Sequence, residues 1–412
     1  MKKIFSLLLQ LAAACTLFFS ACSKDGGTKK TATYTIYSNP VYKSKADVLA
    51  AINGAANTAI QHAGKLYVKG NFIYLNDVNK GIHIIDNSNP SHPVQIAFLS
   101  IPGNLDIAIK NNVLYADMFS DLLALDITNP RQVKLTKTLE NFFIGRYYVN
   151  GMVTNNDGKI AVSWDEKDTT VAVNNPPVPT DVMFLSSQSK SASTPGIAGS
   201  MAGMIIMNNY LYAISEMHSL GIVDISNASH PKLDSSFFAG FDLQTIYPFE
   251  DKLFLGSGIG MFMYDVSDPE HPASLGAFQH GTACDPVITD GKYAYVTLHS
   301  GSTCGGDINE LDVIDVHDIS NSTLVKTYNL SKPTGLCKDG NLLFVCDDNE
   351  VKIFDASNPA GLVLLQQIQS NQPYDVIAAN KKLIVVNADG ISQYNYNNIF
   401  NIRLLSFISA KK

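Results

Sequence analysis

Short apolar runs separated by polar turns dominate the chain, and they come in a fixed order. A run such as LDIAIK leads into a two- or three-residue turn (NN, DGK, DGN or NKK) and then a second run such as NVLYAD. An apolar run ending in Asp, a polar turn and a fourth run follow. Short β-rich runs punctuated by Gly, Asn, Asp and Pro are the pattern of hairpin-linked strands. The Asp-ended run recurs at Asp86, Asp126, Asp224, Asp265, Asp315 and Asp355, and Asn395 fills the next place. The steps between these markers are 40, 98, 41, 50, 40 and 40 residues. A step of 98 is close to two repeats, so MVTNNDGKIAVSWDEKDTTVAV (152–173) is expected to be a degenerate unit. Four strands per unit at about 40–45 residues is the spacing of a β-propeller blade. The expectation is an all-β chain folded as a β-propeller of eight four-stranded blades, or seven if residues 147–196 form no blade.

One short N-terminal helix is expected in SKADVLAAINGA (44–55), with Ser44 as N-cap, Asp47 at the capping-box position and Gly54 at the stop. The strand TYTIYS (33–38) can add to a blade edge and protect it. In the repeated turn, as in LGIVDISNASHPK (220–232), the Asp carboxylate can accept backbone N–H groups just beyond it, and Pro231 fixes the chain's exit. A calcium loop is the alternative, but the acidic residues are too sparse for a closed oxygen cage.

The first residues change the picture of where this ring sits. Residues 1–21 read as a signal peptide, with Lys2 and Lys3 before IFSLLLQLAAACTLFF, a run short of the ~20 residues that span a bilayer. The following FSAC (19–22) resembles a lipobox, which implies that Cys22 carries the lipid, palmitate included, of a bacterial lipoprotein. Residues 22–32 form a polar tether, 33–58 an N-terminal strand and helix, and 59–412 the propeller. The tether's SKDGG resembles the surface-export signal of Bacteroidota lipoproteins. The expected address is the cell envelope, as an outer-membrane lipoprotein facing the cell surface or the periplasm and held to the lipid bilayer through Cys22.

LGIVD (220–224) and LDVID (311–315) look like the LVIVD repeat of bacterial extracytoplasmic propellers. GKLYVKGNFIYLNDVNKGIHIIDNSNPSHP and CDPVITDGKYAYVTLHSGSTC resemble Bacteroidota lipoproteins that carry it, and the resemblance spans residues 59–408. It implies a propeller and an envelope address, and no activity. Of 412 residues 46% are apolar and 16% charged, which suits a packed core. Net charge is −7, or −9 once Lys2 and Lys3 leave with the leader (−7 − 2), which points away from nucleic acid as a partner.

Candidate chemistry is confined to a few positions. Asp106 and Asp375 lie 20 residues before their markers, and Asp285 lies 30 before Asp315 in a unit about ten residues longer. All three fall where the first, axial strand begins, so they can point at the mouth of the central channel and bind a ligand or a divalent metal. Alternatively, each caps its own strand or bonds to the neighbouring blade. Met204, Thr245 and Gly335 hold the same place in other units. His92, His230 and His271 belong to the repeated turn and His83 to a marker strand, whereas His218 and His299 follow second strands and are ligand-binding candidates.

Cys284 and Cys304 are the candidate disulfide in an oxidising compartment. His280, Cys284, His299 and Cys304 as a zinc site is the alternative, with loose spacings. Cys337 and Cys346 are expected as buried thiols. The chain has no G-x-S-x-G elbow, H-E-x-x-H or phosphate-binding Gly loop, and its single Trp164 excludes propellers that need a Trp in every blade. No cofactor is implied. The expected function is a binding platform for a protein, a glycan or a small ligand. The alternatives are a metal-assisted hydrolase or lyase using the channel-mouth carboxylates, and a structural component of an outer-membrane complex.

Overall fold

A computed structural model describes residues 31–54, 58–144, 158–172, 183–184, 197–201, 203–281, 286–300 and 308–410. Seven antiparallel four-stranded blades follow one another along the chain, and Ile197–Ala198 adds a fifth strand to the first. Blade 1 consists of Ala63–Lys69, Phe72–Asp77, Gly81–Asp86 and Val94–Ser100. Blades 2 to 7 span 107–139, 204–238, 243–279, 287–329, 333–369 and 375–409. First strands of successive blades are neighbours, and the first strand of blade 7 meets that of blade 1, so the ring closes.

The blades pack because both faces of their middle strands are apolar. In blade 6, Leu343 and Val345 pack on Ile288 and Tyr295 of blade 5, while Phe344 and Cys346 pack on Val376, Leu383 and Val385 of blade 7. Period-two alternation thus sends successive side chains into opposite interblade layers. Each fully buried residue of this kind contributes roughly 1.5–3 kcal/mol.

The repeated turn works as expected. The side-chain oxygen of each marker, from Asp86 to Asn395, accepts the N–H two residues on at 2.7–2.9 Å. In every blade the third and fourth strands shift register just before the marker, between the residues two and one positions ahead of it. Such bulges increase local twist.

The ring has seven blades, not eight. The 98-residue step holds blade 3 plus an excursion, residues 140–203. Within that excursion Ile160–Ala172 pairs with the N-terminal strand Thr31–Lys43, and Met183–Phe184 pairs with the other edge of Thr31–Lys43. A stretch reading WDEKDTT lacks the two apolar faces that a blade's middle strand requires. The strand expected at 33–38 therefore lies in this separate sheet and edges no blade.

The helix is shorter than expected, Lys45–Ala50, with the Asp47 N–H donating to Ser44 Oγ at 3.1 Å. Val48 and Ile52 are buried with Ala97, Leu125 and Val133, in the outer groove between blades 1 and 2. The chain turns at Asn53, whose carbonyl accepts the Val133 N–H at 3.2 Å. Gly54 follows at φ +74, where a Cβ would lie 2.9 Å from the Pro130 carbonyl oxygen. Lys45 completes the contact through Asp121 (2.6 Å) and Glu140 (2.7 Å).

The seam between blades 7 and 1 is closed by side chains, since each of these two sheets takes its own four blade strands from one continuous stretch of chain. Leu66 and Ile73 of blade 1 pack with Ile377 and Val386 of blade 7 in one cluster, and Asn87 and Gln393 exchange amide hydrogen bonds at 3.0 and 2.8 Å. Among the described residues no helix is long and apolar enough to cross a membrane. Cys22, Asp285, Cys284 and Cys304, the expected lipidation, ligand and disulfide positions, lie outside the described residues.

Candidate functional site at the loop face of the ring

Antiparallel order places the start of every first strand, the end of every second and the end of every fourth at one end of the ring. The long connections 140–203, 280–286 and 299–309 all leave from that end. At the opposite end the blade strands are joined by hairpin turns and the repeated marker turns. Asp106, Asp375, His218 and His299 all belong to the loop-bearing end.

At the channel, aligning the blades on their first hairpin turn sets Lys65, Asp106, Gly203, Thr245, Pro286, Gly335 and Asp375 at equivalent positions. Lys65 Nζ of blade 1 lies 3.1 Å from Asp106 Oδ2 of blade 2, with side chains 4% and 1% exposed. Asp106 Oδ1 accepts the N–H of Ile107 at 2.9 Å, and Asp375 Oδ1 that of Val376 at 3.0 Å. Both carboxylates cap their own strands, and Asp106 also pairs across a blade boundary. Ring order sets Asp375 on the other flank of Lys65.

A second layer of buried polar groups supports this one. Asn76 donates to Asn104 Oδ1 (2.7 Å), and Asn104 donates to Asp117 Oδ1 (2.7 Å). The same Asp117 oxygen accepts the N–H groups of Leu105 and Asp106 at 2.9 and 2.8 Å. Asp77 and Asp347 repeat the device. Each accepts two loop N–H groups and faces a base at the same third-strand position, His83 at 3.0 Å and Lys352 at 2.6 Å. Burial pushes the Asp77 carboxyl up, but hydrogen bonds from His83, His62 and Gln61 outweigh it and hold it below its ordinary value.

The returning excursion covers the channel end. Residues 197–198 add to the first strand of blade 1, and Leu336 of blade 6 donates its N–H to Ser200 Oγ at 2.9 Å. Gly199 lies against blade 7, where a Cβ would overlap the Asp375 carboxylate. Three blades are thus joined at the axis by one short segment.

Farther out on the same face, His218 Nδ1 accepts the Asp242 N–H at 3.0 Å, which leaves the ring proton on Nε2. Its ring stands edge-on to Phe241 (5.4 Å), and Phe241 lies 5.1 Å from Phe238. Phe238 and Phe241 are each 56% exposed, and Met217 and Ile259 are exposed in two turns whose backbones bond to the segment just after Phe241, through Leu243 N–H to Met217 O and Gly258 N–H to Asp242 O. In blade 5, burial raises the Glu310 carboxyl, with the charge of Asp312 adding to it, and burial raises Asp312 against the bond from Thr327 Oγ1 (2.6 Å). His280 acts on both in the opposite sense. Among the described residues no three His, Cys, Asp or Glu side chains come together as metal ligands. Cys337 and Cys346 are unbridged, and burial raises the Cys337 thiol well above its ordinary value.

Four stretches of the chain, residues 61–97, 198–238, 280–330 and 338–369, match the LVIVD repeat. The chain carries LVIVD repeats. No curated protein matches the sequence. Among solved structures the chain is similar to the periplasmic gluconolactonase PpgL of Pseudomonas aeruginosa, at 11% identity over 84% of this chain and 96% of that one, with a TM-score of 0.54. It is also similar to a protein from Lactobacillus plantarum, at 12% identity over 84% and 96%, with a TM-score of 0.51. The computationally designed Ika8 protein matches at 10% identity over 87% and 92%, with a TM-score of 0.50. At such identities the likeness is one of fold.

Sequence reasoning misses Lys65, the partner of Asp106. Counting back 20 residues from Asp86 lands on Leu66, because VNK in the second turn of blade 1 is one residue longer than its counterparts. Counting five residues back from the first hairpin turn finds it.

Proposed function

We propose that this chain is a binding platform of the cell envelope, tethered to the outer membrane by a lipid on Cys22, whose loop-bearing face docks a protein partner. The observation that carries the reading is the contrast across that face. The two axial carboxylates among the described residues are internally engaged, Asp106 by Lys65 and Asp375 by the N–H of Val376, with Gly199 packed close to Asp375, while Phe238, Phe241, Met217 and Ile259 are left exposed. Aromatic residues and Met are enriched in the cores of protein interfaces and dominate their energetics. A buried carboxylate already matched by a lysine is poorly placed to hold a metal or activate water, which favours docking over metal-assisted hydrolysis or elimination at the channel.

The reading is tested by quantitative co-purification from envelope extracts. A Phe238→Ser/Phe241→Ser double variant is expected to lose a partner that the native chain and Leu233→Ser, an exposed substitution on an outer strand, both retain. Equal recovery with all three proteins would reject the face. Labelling with a radioactive palmitate precursor, lost in Cys22→Ser, tests the anchor separately.

A further inference from the structure

The outer groove between blades 6 and 7 is the counterpart of the one that the chain fills with its own helix between blades 1 and 2. Aligned on Asp86 and Asp126, Val48 and Ile52 occupy a groove whose wall includes Ala97, Leu125 and Val133. Aligned on Asp355 and Asn395, the counterpart is open, about 420 Å³ in volume, and lined by Gln366, Gln367, Tyr394, Phe400, Asn401 and Ile402 among others. Gln366 stands where Ala97 does, Gln367 where Phe98 does, Tyr394 where Leu125 does and Phe400 where Arg131 does.

That exchange changes what the groove can hold. An apolar helix turn laid here would bury the Gln366 amide against apolar surface, a cost that Ala97 avoids. Amide groups that both donate and accept, beside two aromatic rings, suit a ligand with hydroxyls around its edge and C–H groups on its faces. No charged side chain lines the groove, so nothing there compensates a charged ligand. Gln367 adds only its backbone to this wall, its amide lying on the other face 2.9 Å from both Glu350 carboxylate oxygens. One backbone donor is already set. The Ile402 N–H is the counterpart of the Val133 N–H, which in the filled groove donates to Asn53 O at 3.2 Å.

We propose that the groove between blades 6 and 7 binds a neutral saccharide of one or two rings, stacked on Tyr394 and Phe400 and hydrogen-bonded by Gln366, Asn401 and the Ile402 N–H. The site lies toward the marker-turn end of the ring, away from the loop-bearing face, and does not depend on that face having a protein partner.

The test is saturation-transfer NMR on the full chain with a panel of neutral hexose and N-acetylhexosamine disaccharides. Glucuronate serves as a charged control and the peptide SKADVLAAINGA (44–55) as a helical one. At least one neutral disaccharide binds, and Phe400→Ala and Gln366→Ala each weaken it by about tenfold, the effect of losing one stacking or hydrogen-bonded contact. Phe400 is 70% exposed, so its truncation leaves the fold intact, which an unchanged melting temperature verifies. Phe238→Ser/Phe241→Ser leaves saccharide binding untouched. The proposal is overturned if no neutral disaccharide binds, if binding survives both groove variants, or if the peptide or glucuronate binds there in place of sugar.

Discussion

Replacing Lys65 by Met removes one partner of an ion pair from which water is excluded. The Lys65 and Asp106 side chains are 4% and 1% exposed and 3.1 Å apart. Met preserves most of the lysine's aliphatic volume, so packing changes little and the cost is that of a buried carboxylate left without its cation. Breaking such a pair by removing one member costs about 3–5 kcal/mol, whereas replacing both members by neutral groups costs far less. Unfolding entropy near 2.1 cal/mol/K per residue over a ring of about 350 residues converts this to a fall of roughly 4–7 °C in melting temperature. The assay is urea and thermal denaturation of Lys65→Met, Asp106→Asn and the double variant. The double variant is expected to be more stable than Lys65→Met, with a coupling energy of about 2 kcal/mol or more. A Lys65→Met cost below ~1 kcal/mol, or strictly additive effects, would refute the claim that the channel carboxylate is internally matched.

Other outcomes follow from the same structure. Gly199→Val forces a side chain onto the Asp375 carboxylate, and calorimetry is expected to show a loss of about 1–3 kcal/mol, typical of overpacking. Asp86, Asp126, Asp224, Asp265, Asp315 and Asp355 sit below the ordinary 3.8 because their carboxylates accept turn hydrogen bonds. Their contribution is therefore present above pH 3.8 and lost as pH falls through the depressed values, so an acid titration of melting temperature should drop below about pH 4. Asp312 behaves oppositely. Its carboxyl is raised by burial, so stability falls as pH rises from 3.8 through its folded value. Asp312→Asn, which keeps an acceptor for Thr327, should remove that slope and melt no lower than the native chain at pH 7.

The blades are legible in the sequence because a marker Asp recurs at near-constant spacing and its chemistry is local: a carboxylate accepting an N–H two residues away needs no tertiary information. An eighth blade is counted because spacing alone cannot distinguish a degenerate repeat from an excursion. Residues 160–172 have strand character yet pair with the N-terminal strand outside the ring. At the channel the sequence locates Asp106 and Asp375 but not what neutralises them. Lys65 precedes Asp106 by 41 residues in another blade, and a one-residue insertion hides the equivalence. The aromatic cluster of His218, Phe238 and Phe241 is only partly visible, since a phenylalanine at a strand end and another in the connection after it reveal neither their exposure nor their neighbour in an adjacent turn. The filled and open outer grooves depend on where the N-terminal segment runs, which no local pattern fixes.

The most direct test of the platform is a photo-crosslinking amino acid placed in intact cells at Phe241, on the loop-bearing face, and at Val363, on an outer strand. A discrete protein adduct at Phe241 that disappears in a Phe238→Ser background, with none at Val363, is what the account predicts. No adduct at Phe241, or the same adducts from both positions, would contradict it.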